Sequence, residues 1–140
     1  MGKNWEKKEY ESKQIASTFW WDSALFSIVL GIVWSVVAVA LFVSIPMVVL
    51  TIISAIMGVI ITLVAENIAI KKVRNRAIVK KEQVNEIVKK FAIKWVILLV
   101  IIVVVEYFSQ NISISNLILW IVEAILGTIF AKKLLNDLAV

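Results

Sequence analysis

The stretch that decides the fold is ALFSIVLGIVWSVVAVALFVSIPMVVLTIISAIMGVIITLVA, residues 24–65, which runs for 42 residues without a charged side chain. A helix needs about 20 apolar residues to cross the hydrocarbon of a bilayer, so this stretch is long enough for two crossings. Pro46 provides the natural break, because proline lacks a backbone donor and biases the preceding residue away from helix. The sequence therefore predicts spans at 24–43 and 47–66, within a first transmembrane hairpin at 23–70.

A second pair of spans follows in the C-terminal half. The run VILLVIIVVV lies in the middle of a third predicted span at 91–110, and a fourth is predicted at 112–131. Lipid offers backbone groups no hydrogen-bond partners, so each span is expected to be α-helical despite its many valine and isoleucine residues. The predicted fold is an all-α integral membrane protein with four transmembrane helices in two hairpins, the second at 91–131.

The composition agrees with a chain embedded in lipid and excludes several kinds of site. Hydrophobic residues make up 61% of the sequence, and it contains neither cysteine nor histidine. Disulfides, thiolate catalysis and most zinc or haem sites are thereby excluded. The sequence also lacks a glycine-rich phosphate loop and a nucleophile elbow. We therefore expect a non-enzymatic protein with no catalytic residue, no bound metal and no cofactor.

The basic residues predict an orientation. Of the 15 lysine and arginine residues, four precede the first span, nine lie between Lys71 and Lys94, and two follow the last span. None lies in the turns predicted at 44–46 and 109–116. By the positive-inside rule, the N-terminal segment 1–22, the central loop and the tail 132–140 all face the cytoplasm.

The central loop, residues 71–90, also has an amphipathic pattern. Apolar residues recur at helical spacing from Val84 to Phe91, which predicts an interfacial helix whose basic residues contact anionic lipid headgroups. The segment 1–22 is expected to form a second interfacial helix anchored by tryptophans such as Trp5. Docking to a cytoplasmic partner is an alternative for the loop, but no nucleic-acid motif is present, so we expect no nucleic-acid partner. The predicted headgroup contacts are Lys71, Lys72, Arg74, Arg76, Lys80, Lys81, Lys89 and Lys90.

One carboxylate interrupts the fourth span, in NLILWIVEAILGTIF at 116–130. At about 1.5 Å of rise per residue, Glu123 lies roughly 16 Å deep, near the bilayer midplane. A carboxylate there costs about 2.5 to 3.5 kcal/mol on insertion scales, so it must be protonated, paired or next to water. No lysine or arginine occurs at that depth in any span, so a cationic partner would come from another subunit, a substrate or solvent.

Two roles are open for Glu123. It can bind and release a proton or a cation, with Glu106 and Glu66 marking the outer and inner ends of a path. Alternatively, it is a protonated side chain that hydrogen-bonds a neighbouring helix and holds the bundle together. For Glu66 and Glu106, solvation at the membrane interface is a sufficient explanation.

Small residues form stripes on the first two spans, from Ser27 to Ala38 and from Thr51 to Ala65. Such stripes let helix backbones approach closely in lipid, so we expect these spans to pack against each other and against the fourth. A polar pore lining is the alternative. The predicted packing residues are Gly31, Ser35, Ala55, Gly58, Thr62 and Gly127.

The layout, but no motif, resembles two known kinds of membrane protein. Four short spans with a deep glutamate are similar to small multidrug exporters, although their glutamate lies in the first helix. Two hairpins with all soluble parts on one side resemble reticulon-type membrane-shaping proteins. The sequence predicts a small oligomeric transport or permeation protein that uses Glu123. The alternative is a membrane-shaping hairpin protein or an interaction subunit of a larger membrane complex, with Glu123 as interhelical glue.

Overall fold

The computed structural model describes the backbone of residues 8–140 and the side chains of residues 10–41 and 43–140. Residues 1–7, including Trp5 of the predicted N-terminal interfacial helix, lie outside the described residues. Four helices in the described chain are each long and apolar enough to cross a membrane, which confirms the expected four-helix membrane architecture. They are α1 (Ser12–Phe42), α2 (Met47–Arg76), α3 (Lys81–Phe108) and α4 (Ile114–Leu138).

A short strand pair ties the N-terminal segment to the connection between α2 and α3. Strand β1 (Lys8–Glu9) pairs in parallel with β2 (Ala77–Ile78). The backbone N–H of Val140 donates to the carbonyl of Val79 at 3.0 Å, and that of Lys81 donates to the carbonyl of Val140 at 3.3 Å. Three parts of the chain that are distant in sequence therefore meet at one end of the bundle.

This end is called the basic end below, and it comprises residues 8–11, 77–80 and 139–140 together with the adjoining turns of the four helices. The opposite end, called the far end, holds the turns at 43–46 and 109–113. Helices α1 and α3 run from the basic end to the far end, and α2 and α4 return. Helices α2 and α4 are consequently parallel to each other.

The helices form a ring rather than two isolated hairpins. Helix α1 packs against α2 and α3, and α4 packs against the same two helices. The order around the bundle is therefore α1, α2, α4, α3. Between α1 and α2, the indole Nε1 of Trp34 donates to Ser54 Oγ at 3.2 Å. This arrangement gives α2 and α4, which belong to different hairpins, a shared seam.

The buried apolar core is concentrated at the basic end. Phe19 of α1 and Phe91 of α3 are fully buried with ring centroids 5.0 Å apart, and Ile87 and Leu135 are fully buried in the same cluster. Toward the far end, large apolar side chains such as Val39 are exposed on the outside of the bundle. In a bilayer that apolar surface contacts hydrocarbon, so it needs no protein cover.

The segment 71–90 contains no separate interfacial helix in the structure. Helix α2 continues to Arg76 and α3 begins at Lys81, so the segment is divided between two spanning helices. Val84, Ile87 and Phe91 are buried in the basic-end cluster. The amphipathic spacing indicates which side of a helix is apolar, but lipid or protein can cover that side, and here protein does.

The far-end turn between α3 and α4 is closed by a Schellman motif. Gln110 has a φ of 55°. Its N–H donates to the carbonyl of Tyr107 at 3.2 Å, and the N–H of Asn111 donates to the carbonyl of Glu106 at 3.0 Å. These two bonds satisfy carbonyls that the end of α3 would otherwise leave unpaired.

Candidate functional site

The seam between α2 and α4 carries two carboxyl groups and two glycines. Gly58, Thr62 and Glu66 recur every four residues on α2, and Glu123 and Gly127 do so on α4, so each set lies on one helix face. Because the two helices are parallel, Glu123 lies against Gly58 while Glu66 lies against Gly127. These five residues are called the glutamate seam below.

Thr62 connects the glycine backbone to Glu123. Its Oγ1 lies 2.9 Å from the carbonyl oxygen of Gly58 and 3.4 Å from Glu123 Oε1. A hydroxyl has one hydrogen to donate and two lone pairs that accept. When the Thr62 hydroxyl donates to the Gly58 carbonyl, its oxygen can accept a hydrogen bond from a neutral Glu123. When the hydroxyl turns, it can donate a hydrogen bond to a charged Glu123. The contact is therefore suited to either protonation state of Glu123.

Glu66 is the most enclosed carboxyl group among the described residues, with an exposed fraction of 0%. Neither of its oxygens has a hydrogen-bond partner in the described chain. A Cβ added to Gly127 would lie 2.6 Å from Glu66 Oε2, so glycine is what leaves room for this carboxyl. Solvation at the membrane interface, which sufficed to explain Glu66 from the sequence, does not fit a side chain enclosed by protein.

Other unpaired polar groups lie in the bundle interior. The hydroxyl of Ser23 and the Nε1 atoms of Trp20 and Trp95 are buried without hydrogen-bond partners in the described chain. Ser23 precedes Trp34 in α1 by as many residues as Ala65 follows Ser54 in α2. Because the two helices are antiparallel, Ser23 lies at the level of Ala65, the neighbour of Glu66. The rings of Trp20 and Trp95 are in T-shaped contact at 5.7 Å.

Glu123 also borders a cavity of about 250 Å³ between α1, α3 and α4. Most of its lining is apolar, and two tryptophan rings, Trp95 and Trp120, contribute to it. Ile28, at the α1 side, is 60% exposed, so the cavity reaches the outside of the bundle. Glu123 thus contacts Gly58 and Thr62 of α2 on one side and borders an apolar, aromatic cavity on the other.

Glu106 lies apart from the other two candidate glutamates. It is in the last turn of α3 at the far end, outside the glutamate seam and outside the lining of the cavity. Its Oε2 is buried without a hydrogen-bond partner in the described chain. The structure therefore brings Glu66 and Glu123 together and leaves Glu106 separate. Across residues 8–140, no group of three acidic side chains could hold a metal ion.

The predicted packing residues divide in a similar way. Gly58, Thr62 and Gly127 lie in the glutamate seam, and Ala55 is half-buried about one turn before Gly58 on α2. A Cβ at Gly31 would meet nothing within 4 Å. Ser35 is exposed, and its hydroxyl donates to the carbonyl of Gly31 at 2.9 Å. Of the three described glycines, Gly58 and Gly127 are therefore the ones where a facing helix comes close, and Gly31 is not.

Of the described residues that line the cavity, only Glu123 was among the predicted site residues, and Ser27 and Trp95 are two that were not. The sequence pattern does not indicate a cavity at these positions, because it predicts helix packing for Ser27 and a membrane-interface position for Trp95. The pairing across the seam has a clearer signal. Gly58, Thr62 and Glu66 show the same four-residue interval as Glu123 and Gly127, which is what two parallel helices need to place each carboxyl on a glycine.

The predicted headgroup residues lie at or near the basic end, on the last turns of α2, the connection at 77–80 and the first turns of α3. Lys72 lies over the ring of Phe26, with Nζ 5.1 Å from the centroid, and Lys90 pairs with Glu86 at 3.8 Å. A cavity of about 600 Å³ between the first turns of α1 and the last turns of α2 is lined in part by Lys13, Lys72 and Arg76.

Comparisons with known proteins gave no match: no family model, no curated protein and no solved structure matches this chain.

Proposed function

We propose that this chain is a small, non-enzymatic membrane transport protein in which Glu123 binds a proton or a cation. The observation that carries the proposal is the glutamate seam, where Glu123 and Glu66 lie on facing helices with Thr62 between them. Carboxyl groups within membrane helices are costly to bury, and they commonly mark ion or proton pathways. No lysine or arginine is among the described residues that line the seam or the adjoining cavity, so no cationic side chain there neutralises Glu123.

The order of the groups suggests a direction for movement. Glu123 lies at the level of Gly58, and Thr62 and Glu66 follow one and two helical turns closer to the basic end. A proton leaving Glu123 can therefore pass the Thr62 hydroxyl before reaching Glu66. Steps of one turn correspond to about 6 Å along the axis, so rotation of the side chains or intervening water is needed for each transfer. Glu106, at the far end, is the proposed entry group on the other side.

The proposed orientation places the basic end and both termini in the cytoplasm, because the basic residues cluster at that end. We propose that the inner ends of α1, α2 and α3 lie in the headgroup layer and contact anionic lipid there. The cavity near Lys13, Lys72 and Arg76 offers three cationic side chains for a lipid phosphate, and Glu11 is the one acidic residue among the described residues of the same lining. Enrichment of bound phosphatidylglycerol over phosphatidylcholine, lost in a Lys72→Gln/Arg76→Gln variant, is the expected result in mass spectrometry of the purified protein.

We further propose that the transporting unit is a homo-oligomer. The cavity of about 250 Å³ beside Glu123 is too small to serve as an aqueous channel, and large apolar faces toward the far end are open to contact with other copies. A mass measurement in mild detergent tests this directly. A discrete multimer is the expected result, and a monomer at all protein concentrations would contradict it.

The function is tested by proton and cation flux in liposomes that contain the purified protein. Wild type should carry flux, and Glu123→Gln, which keeps the size and removes the charge, should abolish it while leaving the protein folded. Glu86→Gln is the matched control, because Glu86 is an exposed glutamate on the first turns of α3. Flux that is equal in wild type and in Glu123→Gln, or absent from both while both are folded, would refute the proposal.

The second candidate function is an interaction subunit or membrane-shaping protein. It is favoured by the Thr62–Glu123 contact, which can act as a hydrogen bond that only joins two helices. Under this candidate function, Glu123→Gln should leave folding and assembly nearly unchanged, because the glutamine amide can also hydrogen-bond Thr62. Gly58→Leu, by contrast, would push α2 away from Glu123 and disrupt assembly, which size-exclusion chromatography would detect.

A further inference from the structure

We infer that the interior of the bundle binds ordered water in a layer that joins α1, α2 and α3 at the level of Glu66. The layer comprises Ser23, Glu66 and Trp95, with Trp20 about one turn closer to the basic end, and it is called the polar layer below. The inference goes beyond the proposed function and does not depend on it, because it concerns how Glu66 is held and not what Glu123 binds.

Two contacts between different helix pairs bring the members of the polar layer to one level. Helices α1 and α3 run in the same direction, and the rings of Phe19 and Phe91 are in contact with centroids 5.0 Å apart. Ser23 and Trp95 each follow one helical turn after these two residues, so they lie at the same level. The hydrogen bond between α1 and α2 places Ser23 level with the neighbour of Glu66 as well. Three helices therefore each contribute a polar side chain at this level.

The polar side chains lie on the inner faces of their helices. Ser23, with an exposed fraction of 1%, continues the buried face of α1 that includes Trp20. Glu66 lies on the buried face of α2. Trp95 is one turn beyond Phe91 on α3 and packs against the same core cluster. Protein, rather than lipid, therefore encloses the polar atoms of the layer.

The polar atoms of the layer share the lack of a protein partner. Within the part of the chain that the structure describes, no hydrogen bond is made by either carboxyl oxygen of Glu66, the hydroxyl of Ser23 or the Nε1 atoms of Trp20 and Trp95. A buried polar atom without a hydrogen bond is costly, and nearly all such atoms in native proteins are paired with protein or with ordered water. The concentration of these atoms in one layer points to a shared partner.

The donors and acceptors of the layer identify this partner as water. An indole Nε1–H can only donate and a carboxylate can only accept, whereas a hydroxyl does both. A metal ion needs several oxygen ligands, and the two indoles cannot supply any. An anion would pair with the indoles but would be repelled by a charged Glu66. Water accepts from the indoles and donates to Glu66, and a buried water molecule typically makes about three such bonds to otherwise unpaired groups.

Nuclear magnetic resonance of the ¹⁵N-labelled full chain in detergent tests the site. Each indole N–H gives its own signal, which is assigned by replacing one tryptophan at a time with phenylalanine. Rotating-frame dipolar cross-peaks to the water resonance identify an indole that has bound water beside it. Trp20 and Trp95 should show these cross-peaks although their Nε1 atoms are buried. Trp34 is the matched control and should show none, because its Nε1 donates to Ser54.

Three variants identify the groups that hold the water. Glu66→Leu keeps the approximate size of the side chain and removes both oxygens, so both cross-peaks should fall about tenfold, as expected when a hydrogen bond to a carboxyl group is lost. Glu66→Gln keeps an oxygen that accepts and should retain most of the signal. Ser23→Ala should weaken the cross-peaks without abolishing them, because Glu66 and the indoles still hold the water. Glu86→Leu, which changes an exposed glutamate, is the control and should have no effect.

Several results would overturn the water site. They are the absence of water cross-peaks from both Trp20 and Trp95, equally strong cross-peaks at Trp34, and cross-peaks that persist unchanged in folded Glu66→Leu. Complete loss in folded Glu66→Gln or Ser23→Ala would assign the signal to an exchanging proton of that side chain and overturn it as well. Indole shifts that follow the chloride concentration would show an anion in place of water. If Glu66→Leu does not fold, the comparison of Trp20 and Trp95 with Trp34 still decides. None of these results depends on flux, so the water site and the proposed function can fail separately.

Discussion

The carboxyl group of Glu123 packs directly on Gly58, so that a Cβ added to that glycine would lie 3.2 Å from Oε2. The reciprocal contact, between Glu66 and Gly127, is tighter still. Each glutamate thus packs on a glycine of the facing helix, which leaves room for the carboxyl group because it has no side chain. The two contacts make the spacing between α2 and α4 depend on the size of both glycines, which leads to a first prediction.

Gly127→Ala should destabilise the bundle by about 1 to 3 kcal/mol, the usual cost of adding a methylene to a packed core. The new Cβ would come 2.6 Å from Glu66 Oε2, and Glu66 is fully buried, so either its side chain or helix α2 must shift. Gly58→Ala should cost less, because its Cβ would meet a half-buried Glu123 at 3.2 Å. Unfolding in mixtures of SDS and dodecylmaltoside gives the free-energy differences.

Gly31→Ala is the control for this pair. A Cβ at Gly31 meets nothing within 4 Å, and alanine is a better helix former than glycine by about 1 kcal/mol. The variant should therefore be as stable as wild type or more stable. Equal destabilisation by Gly31→Ala and Gly127→Ala would mean that the α2–α4 contact is not the cause.

Thr62→Val should lower Glu123-dependent flux about tenfold, because it removes a hydrogen bond to a charged group worth about 1.5 kcal/mol. Valine keeps the shape of threonine, and the intrahelical bond to Gly58 that is lost contributes little to helix stability. Thr62→Ser retains the hydroxyl and should retain flux. Liposome flux for the three proteins, at matched protein content, provides the measurement, and equal flux in all three contradicts a role for the hydroxyl.

The Trp34–Ser54 hydrogen bond should couple α1 to α2 by about 0.6 kcal/mol, the average for side-chain hydrogen bonds between membrane helices. The atoms concerned, Trp34 Nε1 and Ser54 Oγ, are 3.2 Å apart. A double-mutant cycle with Trp34→Phe and Ser54→Ala isolates this energy from the loss of ring area. A coupling energy of zero within error would show that the two side chains are neighbours without bonding.

Phe91→Ala should cost about 3 to 5 kcal/mol, as for large aromatic side chains removed from a packed core. Phe91 is fully buried against Phe19 at the basic end. Phe108 is 78% exposed at the far end of the same helix, and Phe108→Ala should change stability by less than about 0.5 kcal/mol. Similar losses from both substitutions would contradict a core confined to the basic end.

The four spans were predictable because lipid offers backbone groups no hydrogen-bond partners, so long uncharged runs must be helical. The uncharged run at 24–65, the break at Pro46 and the polar turn at 109–116 each have one interpretation in a bilayer. The packing was harder to predict. The spacing of Val84, Ile87 and Phe91 is the same whether lipid or α1 covers it, and only the tertiary arrangement decides between them.

The candidate site was predictable in part. Depth along the helix identified Glu123, because its position can be counted from the membrane boundary. The same count placed Glu66 at the membrane boundary, where water would surround it. Counting along one helix does not reveal that Gly127 of α4 packs against Glu66. The cavity was not predictable, because its lining comes from three helices and their order around the ring is not encoded in local spacing.

The concentration of the core at the basic end makes the two sides of the bundle unequal in kinetic terms. Opening the bundle at the far end separates helix faces that lipid can cover, and it leaves the Phe19–Phe91 contact intact. Opening at the basic end requires that contact and the bonds of Val140 to the 79–81 backbone to break. For the proposed transport function, we therefore expect release toward the basic end to be the slower step, and substitutions in that cluster to change the turnover rate without contacting Glu123.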